Sequence, residues 1–232
     1  MFINSKNHIC MKKLLPSLLI VAFLSMNVAC KGDKENQAGD AAAAADASAE
    51  AVAYNVDTTA TVIEWTGSKQ VASHHGTIKL LTGVVYAKGK TIESGNFTIN
   101  MHSIETTDVK PEDGKADLEA HLKGTNMDEK SDHFFNVKKY PEGKFEITKI
   151  SEENGKTMVE GNLTLKGTTK NVKFPATVTV TDTDVSIDSE KFVIDRTQWK
   201  INYASKSVFT DLGDKFINDE IELVVKLKAK KA

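Results

Sequence analysis

Gly161-Asn162-Leu163-Thr164-Leu165-Lys166-Gly167-Thr168-Thr169-Lys170-Asn171-Val172-Lys173-Phe174-Pro175-Ala176-Thr177-Val178 is the stretch that decides how the chain is read. Leu163 and Leu165 alternate with Asn162, Thr164 and Lys166, and beyond Gly167 a second alternation sets Val172, Phe174, Ala176 and Val178 against polar partners. Period-two alternation on both sides of a short Gly-containing loop describes a β-hairpin in which each arm has one apolar and one wet face. The apolar face of a sheet is therefore what the rest of the chain must cover.

Working outward, eight segments alternate or are rich in β-formers between Gly, Asn, Asp or Pro: 60–66, 76–87, 94–102, 143–150, 157–166, 170–181, 185–195 and 220–230. Lys88-Gly89-Lys90, Glu153-Asn154-Gly155 and Lys166-Gly167-Thr168 are hairpin punctuation. The one interruption, 112–136, carries a helical turn or two at 117–122, after which Asp132-His133-Phe134-Phe135 turns the chain back. With so little helix to cover it, an antiparallel sheet of eight strands closes most economically on itself. The expected fold is all-β: an eight-stranded antiparallel barrel with a short helical insertion between the third and fourth strands. Alternation points Phe97, Ile99, Met101, Phe145, Ile147, Leu163, Leu165, Phe174, Val178, Phe192, Ile194, Leu223, Val225 and Leu227 inward. A filled core and a lined tunnel require the same residues, so the pattern leaves both open.

The N-terminus reads as an export signal. Met11-Lys12-Lys13 precedes an apolar run, Leu14 to Phe23, that is too short to span a bilayer, and residues 1–29 are set aside from the fold, with a start at Met11 as an alternative. Small residues before Cys30 resemble a bacterial lipoprotein signal, and the only other cysteine, Cys10, lies in the leader. A lone thiol at the first mature position has a purpose if it is acylated, which places the protein at the periplasmic face of a bacterial membrane; ordinary cleavage would leave it soluble in the periplasm. Residues 31–53 are alanine-rich and lack an apolar stripe, and so are expected to be a spacer, partly helical at best, reaching roughly 80 Å if extended. Residues 54–232 are one domain by length. Removing residues 1–29 takes away Lys6, Lys12 and Lys13 and no acid, so a formal charge of −2 becomes −5, and no nucleic-acid partner is indicated.

The order Ser103-Ile104-Glu105-Thr106, Leu118-x-x-His121-Leu122, Phe134-Phe135-x-Val137-x-x-Tyr140-Pro141, Gly161-x-Leu163-Thr164-Leu165-x-Gly167-x-Thr169-Lys170, Arg196-x-x-Trp199 and Glu220-Ile221-x-Leu223 resembles the YceI family across the mature domain. The resemblance implies a lipocalin-like barrel exported to the periplasm, with an apolar tunnel that holds a polyisoprenoid or another long amphipathic lipid, and no catalysis or cofactor. The family carries a Gly where this chain has Lys200 after Trp199, so the loop 197–219 is expected to be this chain's own version.

The candidate ligand-binding residues are thus Phe97, Ile99, Met101, Phe134, Phe135, Phe145, Ile147, Leu163, Leu165, Phe174, Phe192, Ile194, Arg196 and Trp199, with Cys30 as the lipidation site. Arg196 and Trp199 could greet a polar head group at the barrel mouth, or Arg196 could pair with Asp195 or Glu220 to close the barrel. Phe134 and Phe135 read equally as a lid or an end plug. Adjacent His74 and His75 point to opposite faces of a strand and are poorly placed to share a metal. A hydrolase acting on a held lipid would need His102, His121 and His133 to converge, with Asp108, Asp117 or Asp132 beside them. G-x-S-x-G, P-loop and dinucleotide signatures are absent from the sequence. A solid barrel with partners bound by its long loops is the remaining alternative.

Overall fold

The computed structural model describes residues 38–126 and 133–232; the segment read as an export signal, Cys30 and Asp132 lie outside the described residues. The strands, in chain order, are β1 (Gly39–Asp40), β2 (Val52–Val56), β3 (Val62–Lys69), β4 (Ala72–Lys88), β5 (Thr91–Thr106), β6 (Glu142–Glu153), β7 (Lys156–Leu165), β8 (Thr168–Val180), β9 (Asp184–Ser189), β10 (Phe192–Asp195) and β11 (Ile217–Lys231). Among the described residues a single α-helix, α1 (Lys115–Lys123), lies between β5 and β6.

The named ladders are antiparallel and close into a ring. From β4 the order runs through β5, β6, β7 and β8 to β9, then β11, then β3, and back to β4. Two of the eight staves are interrupted: β2 continues into β3, both lying between β4 and β11, and β9 continues into β10, both pairing β11. All eight expected strand segments fall on these staves, and the helical insertion is where the spacing placed it. The opening hairpin is β7–β8, with Asn162 opposite Asn171 and Leu165 opposite Thr168. Lys166 and Gly167 both take positive φ, 46° and 69°, which is what a two-residue turn must do to match the twist of its strands.

Closing the ring leaves every stave one inward face, and the alternation seen in the sequence is that face. It breaks in β4, where the register slips between Leu80 and Thr82. Leu80 is buried while its neighbour Leu81 is turned out to solvent, so adjacent apolar residues there mark a bulge. One end of the barrel is packed solid by Val85, Ala87, Ile92, Val180, Val185 and Ala229. At the other end gather the β3–β4 hairpin, the β7–β8 turn, α1 and the segment leading from β10 into β11.

The alanine-rich segment differs from the expected spacer. Residues 38–51 cross the outside of the barrel as an extended strap. Gly39 and Asp40 pair with Asn171 and Lys170 of β8. Ala42 exchanges two hydrogen bonds with the Asn162 side chain on β7, at 3.0 and 2.7 Å. The Ala45 N–H then donates to the Ile147 carbonyl of β6 at 2.9 Å, and the Ser48 N–H donates to Glu93 of β5. Alanine favours helix in isolation, but here the barrel wall supplies acceptors at strand spacing, and Val52 and Ala53 already belong to β2.

Gly161 has a specific packing role. A Cβ at this position would come within 2.2 Å of the Phe145 ring, which lies across the β7 backbone. Gly161→Ala is expected to lower stability by about 1–3 kcal/mol in denaturant unfolding, and Phe145→Leu in the same chain should relieve only part of that loss, because the Glu146 carbonyl would still lie 2.8 Å from the added Cβ.

Candidate functional site

The inward face does not fill the ring. A cavity of about 350 Å³ runs along the barrel, its lining extending from Lys69 and Ala72 at the β3–β4 hairpin down to Thr61 and Leu227. From Lys69 to Thr61 the chain rises about 26 Å along β3, or roughly 20 Å of depth once strand tilt is allowed for. A cavity that follows the barrel over that depth has the elongated shape of an extended hydrocarbon chain.

The walls are almost wholly carbon. Every ligand-lining candidate from Phe97 through Arg196 faces the cavity. Four of them make a continuous aromatic wall: Phe97 to Phe145 at 6.1 Å between ring centroids, Phe145 to Phe174 at 5.9 Å, and Phe174 stacked on Phe192 at 4.4 Å. The alternation reading missed β3 and β4, whose Ile63, Trp65, Ile78 and Leu80 complete the opposite wall. The Gly67 and Gly76 interruptions and the Leu80–Leu81 bulge masked the period there. Leu118, His121 and Leu122 of α1 add to the mouth, where Phe134 and Phe135 also lie.

Trp199 does not join them. It is fully buried outside the lining, and its indole N–H donates to the Leu163 carbonyl at 2.9 Å, holding the short 3-10 turn Arg196–Trp199 against β7. Lys200 ends that turn at φ 60°, the left-handed region that glycine occupies more readily.

Arg196 lines the cavity, but its guanidinium is spoken for. Its Nε donates to the Asn218 carbonyl and Nη2 to the Ile217 carbonyl, each at 3.0 Å, and Nη1 donates to the Ile201 carbonyl. Its carboxylate partner is Asp219, 3.3 Å away, rather than Asp195 or Glu220. Burial pulls the Arg196 pKa below its usual value, and the Asp219 carboxylate opposes that shift. The side chain thereby stitches the 3-10 turn to the start of β11.

The histidines separate into three places. His102 is exposed beside inward-facing Met101, on the outer face of β5. His121 and His133 meet at the mouth, Nδ1 to Nε2 at 2.9 Å, within an aromatic cluster with Phe134 and Tyr203. The three-histidine convergence that hydrolysis would require is not formed. His74 and His75, although adjacent, both approach one carboxylate oxygen of Asp108, at 3.0 and 3.9 Å, because Asp108 lies just past the end of β5 and is reached from both faces of β4. Burial opposes ionisation of Asp108, but hydrogen bonds from His74 and from the His75 backbone hold its pKa below the usual value. Among the described residues no group of three His, Cys, Asp or Glu side chains is placed to hold a metal.

Burial depresses the pKa of both His121 and His133, and for His133 the charges of His121 and Lys166 add to the effect. The folded state therefore binds fewer protons than the unfolded chain below the ordinary value of 6.5, and stability falls as the pH drops through that value. Melting temperature is expected to be lower at pH 5.5 than at pH 7.5, and His121→Gln should shrink the difference. Arg196→Met, which leaves Asp219 and three backbone carbonyls without their cation, is expected to cost about 3–5 kcal/mol in denaturant unfolding.

Residues 54–229 match the family model described as the YceI-like domain. Over 156 residues the chain is 28% identical to Protein YceI of Salmonella arizonae and equally to that of Salmonella newport, covering 66% of this chain and 72% of each relative. Among solved structures, Burkholderia cenocepacia BcnA superposes with a TM-score of 0.56 at 22% identity, over 75% of this chain and 99% of BcnA. A polyisoprenoid binding domain from Saccharophagus degradans superposes with a TM-score of 0.53 at 12% identity, over 78% of this chain and 99% of that domain. These two share the fold. The match of the domain model to the whole ring, from β2 to β11, carries the assignment: the chain belongs to the YceI-like domain family.

Proposed function

We propose that this protein is a non-catalytic carrier that holds an isoprenoid or another long amphipathic lipid in its barrel, tethered to the periplasmic face of a bacterial membrane through lipid on Cys30. The observation that carries this reading is the long cavity with its carbon-lined walls. Hydrocarbon entering such a space leaves water at a gain of about 0.8 kcal/mol per methylene, while a polar ligand would lose its hydration without partners to replace it. Membership of the YceI-like family supports the same reading, as does the shared fold of the polyisoprenoid binding domain from Saccharophagus degradans. Binding rather than catalysis is favoured by the separation of His102 from the His121–His133 pair.

Phe97, Ile99, Met101, Phe145, Ile147, Leu163, Leu165, Phe174, Phe192 and Ile194 would contact the chain of the ligand. Phe134, Phe135 and Arg196 would meet it nearer the mouth, and Trp199 would act only by holding the Arg196 turn in place.

Organic extraction of the protein purified from its own host, followed by mass spectrometry, is expected to yield a lipid with a long apolar chain in near-stoichiometric amount. Ile78→Trp, which builds a larger side chain into the wall, should lower that yield several-fold while the protein still folds. Extracts without lipid from the parent protein would remove the carrier reading.

A further inference from the structure

Five large apolar side chains are exposed among the described residues, and four of them, Val71, Tyr203, Val208 and Phe209, belong to the loops at the cavity mouth. The fifth, Leu81, is on the flank of β4. Single exposed hydrophobes scattered over a surface are ordinary, but a group at the rim of an apolar cavity is a surface waiting for an apolar partner. Val71 is the tip of the β3–β4 hairpin and is 90% exposed. The N–H groups of Val208 and Phe209 both donate to the Ser205 carbonyl; Ser205 bridges to Ile217, and Ile217 pairs with Lys69. The two apolar loops are therefore neighbours across the start of β11. Exposed Lys69, Lys206 and Lys215 on these loops are offset by Asp211 and Asp214, so the rim is close to neutral.

We propose that this rim is a bilayer-docking surface, with Val71, Val208 and Phe209 entering the lipid–water interface and the cavity mouth facing the hydrocarbon. The choice of occupant rests on the carrier reading: a chain passing between bilayer and cavity must cross the rim, and a seated apolar rim spares it the passage through water. The path of the strap permits the same orientation. It leaves the barrel at Gly39, opposite Asn171, only four residues beyond Gly167 of the turn at the mouth end. The eight residues from Ala38 back to Cys30 reach at most about 28 Å. Lipid on Cys30 at the end of that reach leaves the mouth end free to face the membrane.

The test uses the full-length exported chain carrying Cys30→Ser, so that no acyl anchor contributes, floated with phosphatidylcholine vesicles and with phosphatidylethanolamine–phosphatidylglycerol vesicles. The parent is expected to co-float with both, within about twofold of each other because the rim is near neutral. Val71→Asp combined with Phe209→Asp should lower the bound fraction about tenfold, and Phe209→Ala by less. Leu81→Asp should leave binding unchanged, and all variants should melt at the parent temperature. Failure of the parent to float, flotation of the rim variant at the parent level, or an equal loss in Leu81→Asp would overturn the proposal. Lipid extraction from the same samples separates the two readings. Rim-dependent flotation without bound lipid sinks the carrier reading alone, and bound lipid with rim-independent flotation sinks the docking surface alone.

Discussion

The structure depends on one seam, the ladder that joins the first stave to the last. It runs from Ile217 opposite Lys69 to Lys231 opposite Tyr54. An open sheet of this size would present two long unpaired edges and a bare apolar face, and closing it removes both at once. The mouth is organised around the same seam. Arg196 reaches the carbonyls of Ile217 and Asn218 at the start of β11, so its guanidinium, while its side chain still lines the cavity, fixes where the closing strand begins.

Closure could have produced a solid core, and it did not. At about 24 cal/mol per Å³, leaving 350 Å³ unfilled forfeits on the order of 8 kcal/mol, comparable with the whole stability margin of a typical domain. Larger side chains could have removed that deficit. The interior holds it open instead, with Gly161 letting the Phe145 ring lie flat against the β7 backbone. The aromatic wall from Phe97 to Phe192 is shaped around the space it leaves.

The sequence made the staves legible wherever a strand keeps one phase. Leu163 and Leu165, Phe145 and Ile147, and Phe192 and Ile194 all face the cavity as their alternation implied. It failed where the phase shifts, at the β4 bulge, and where the controlling contact is distant in the chain. Nothing around Arg196 announces that three carbonyls from Ile201, Ile217 and Asn218 will claim it, or that Trp199 will turn away from the cavity to bond Leu163. The strap was hidden for the same reason. Alanine composition reports a local preference, whereas the conformation of 38–51 is set by Asn162, Ile147 and Glu93 far along the chain. Hollowness was illegible because a lining and a core use the same residues in the same order.

The strap also imposes an order in time. Its partners on β7 and β8 lie about 120 residues further along the chain, and the seam needs β11 at the very end, so this is a fold dominated by non-local pairing and slow to complete. Residues 38–51 are made first and therefore stay undocked until β8 has followed. The first residues of the strap are thus among the earliest made and among the last fixed, and their final place is beside the mouth-end turn of β7 and β8.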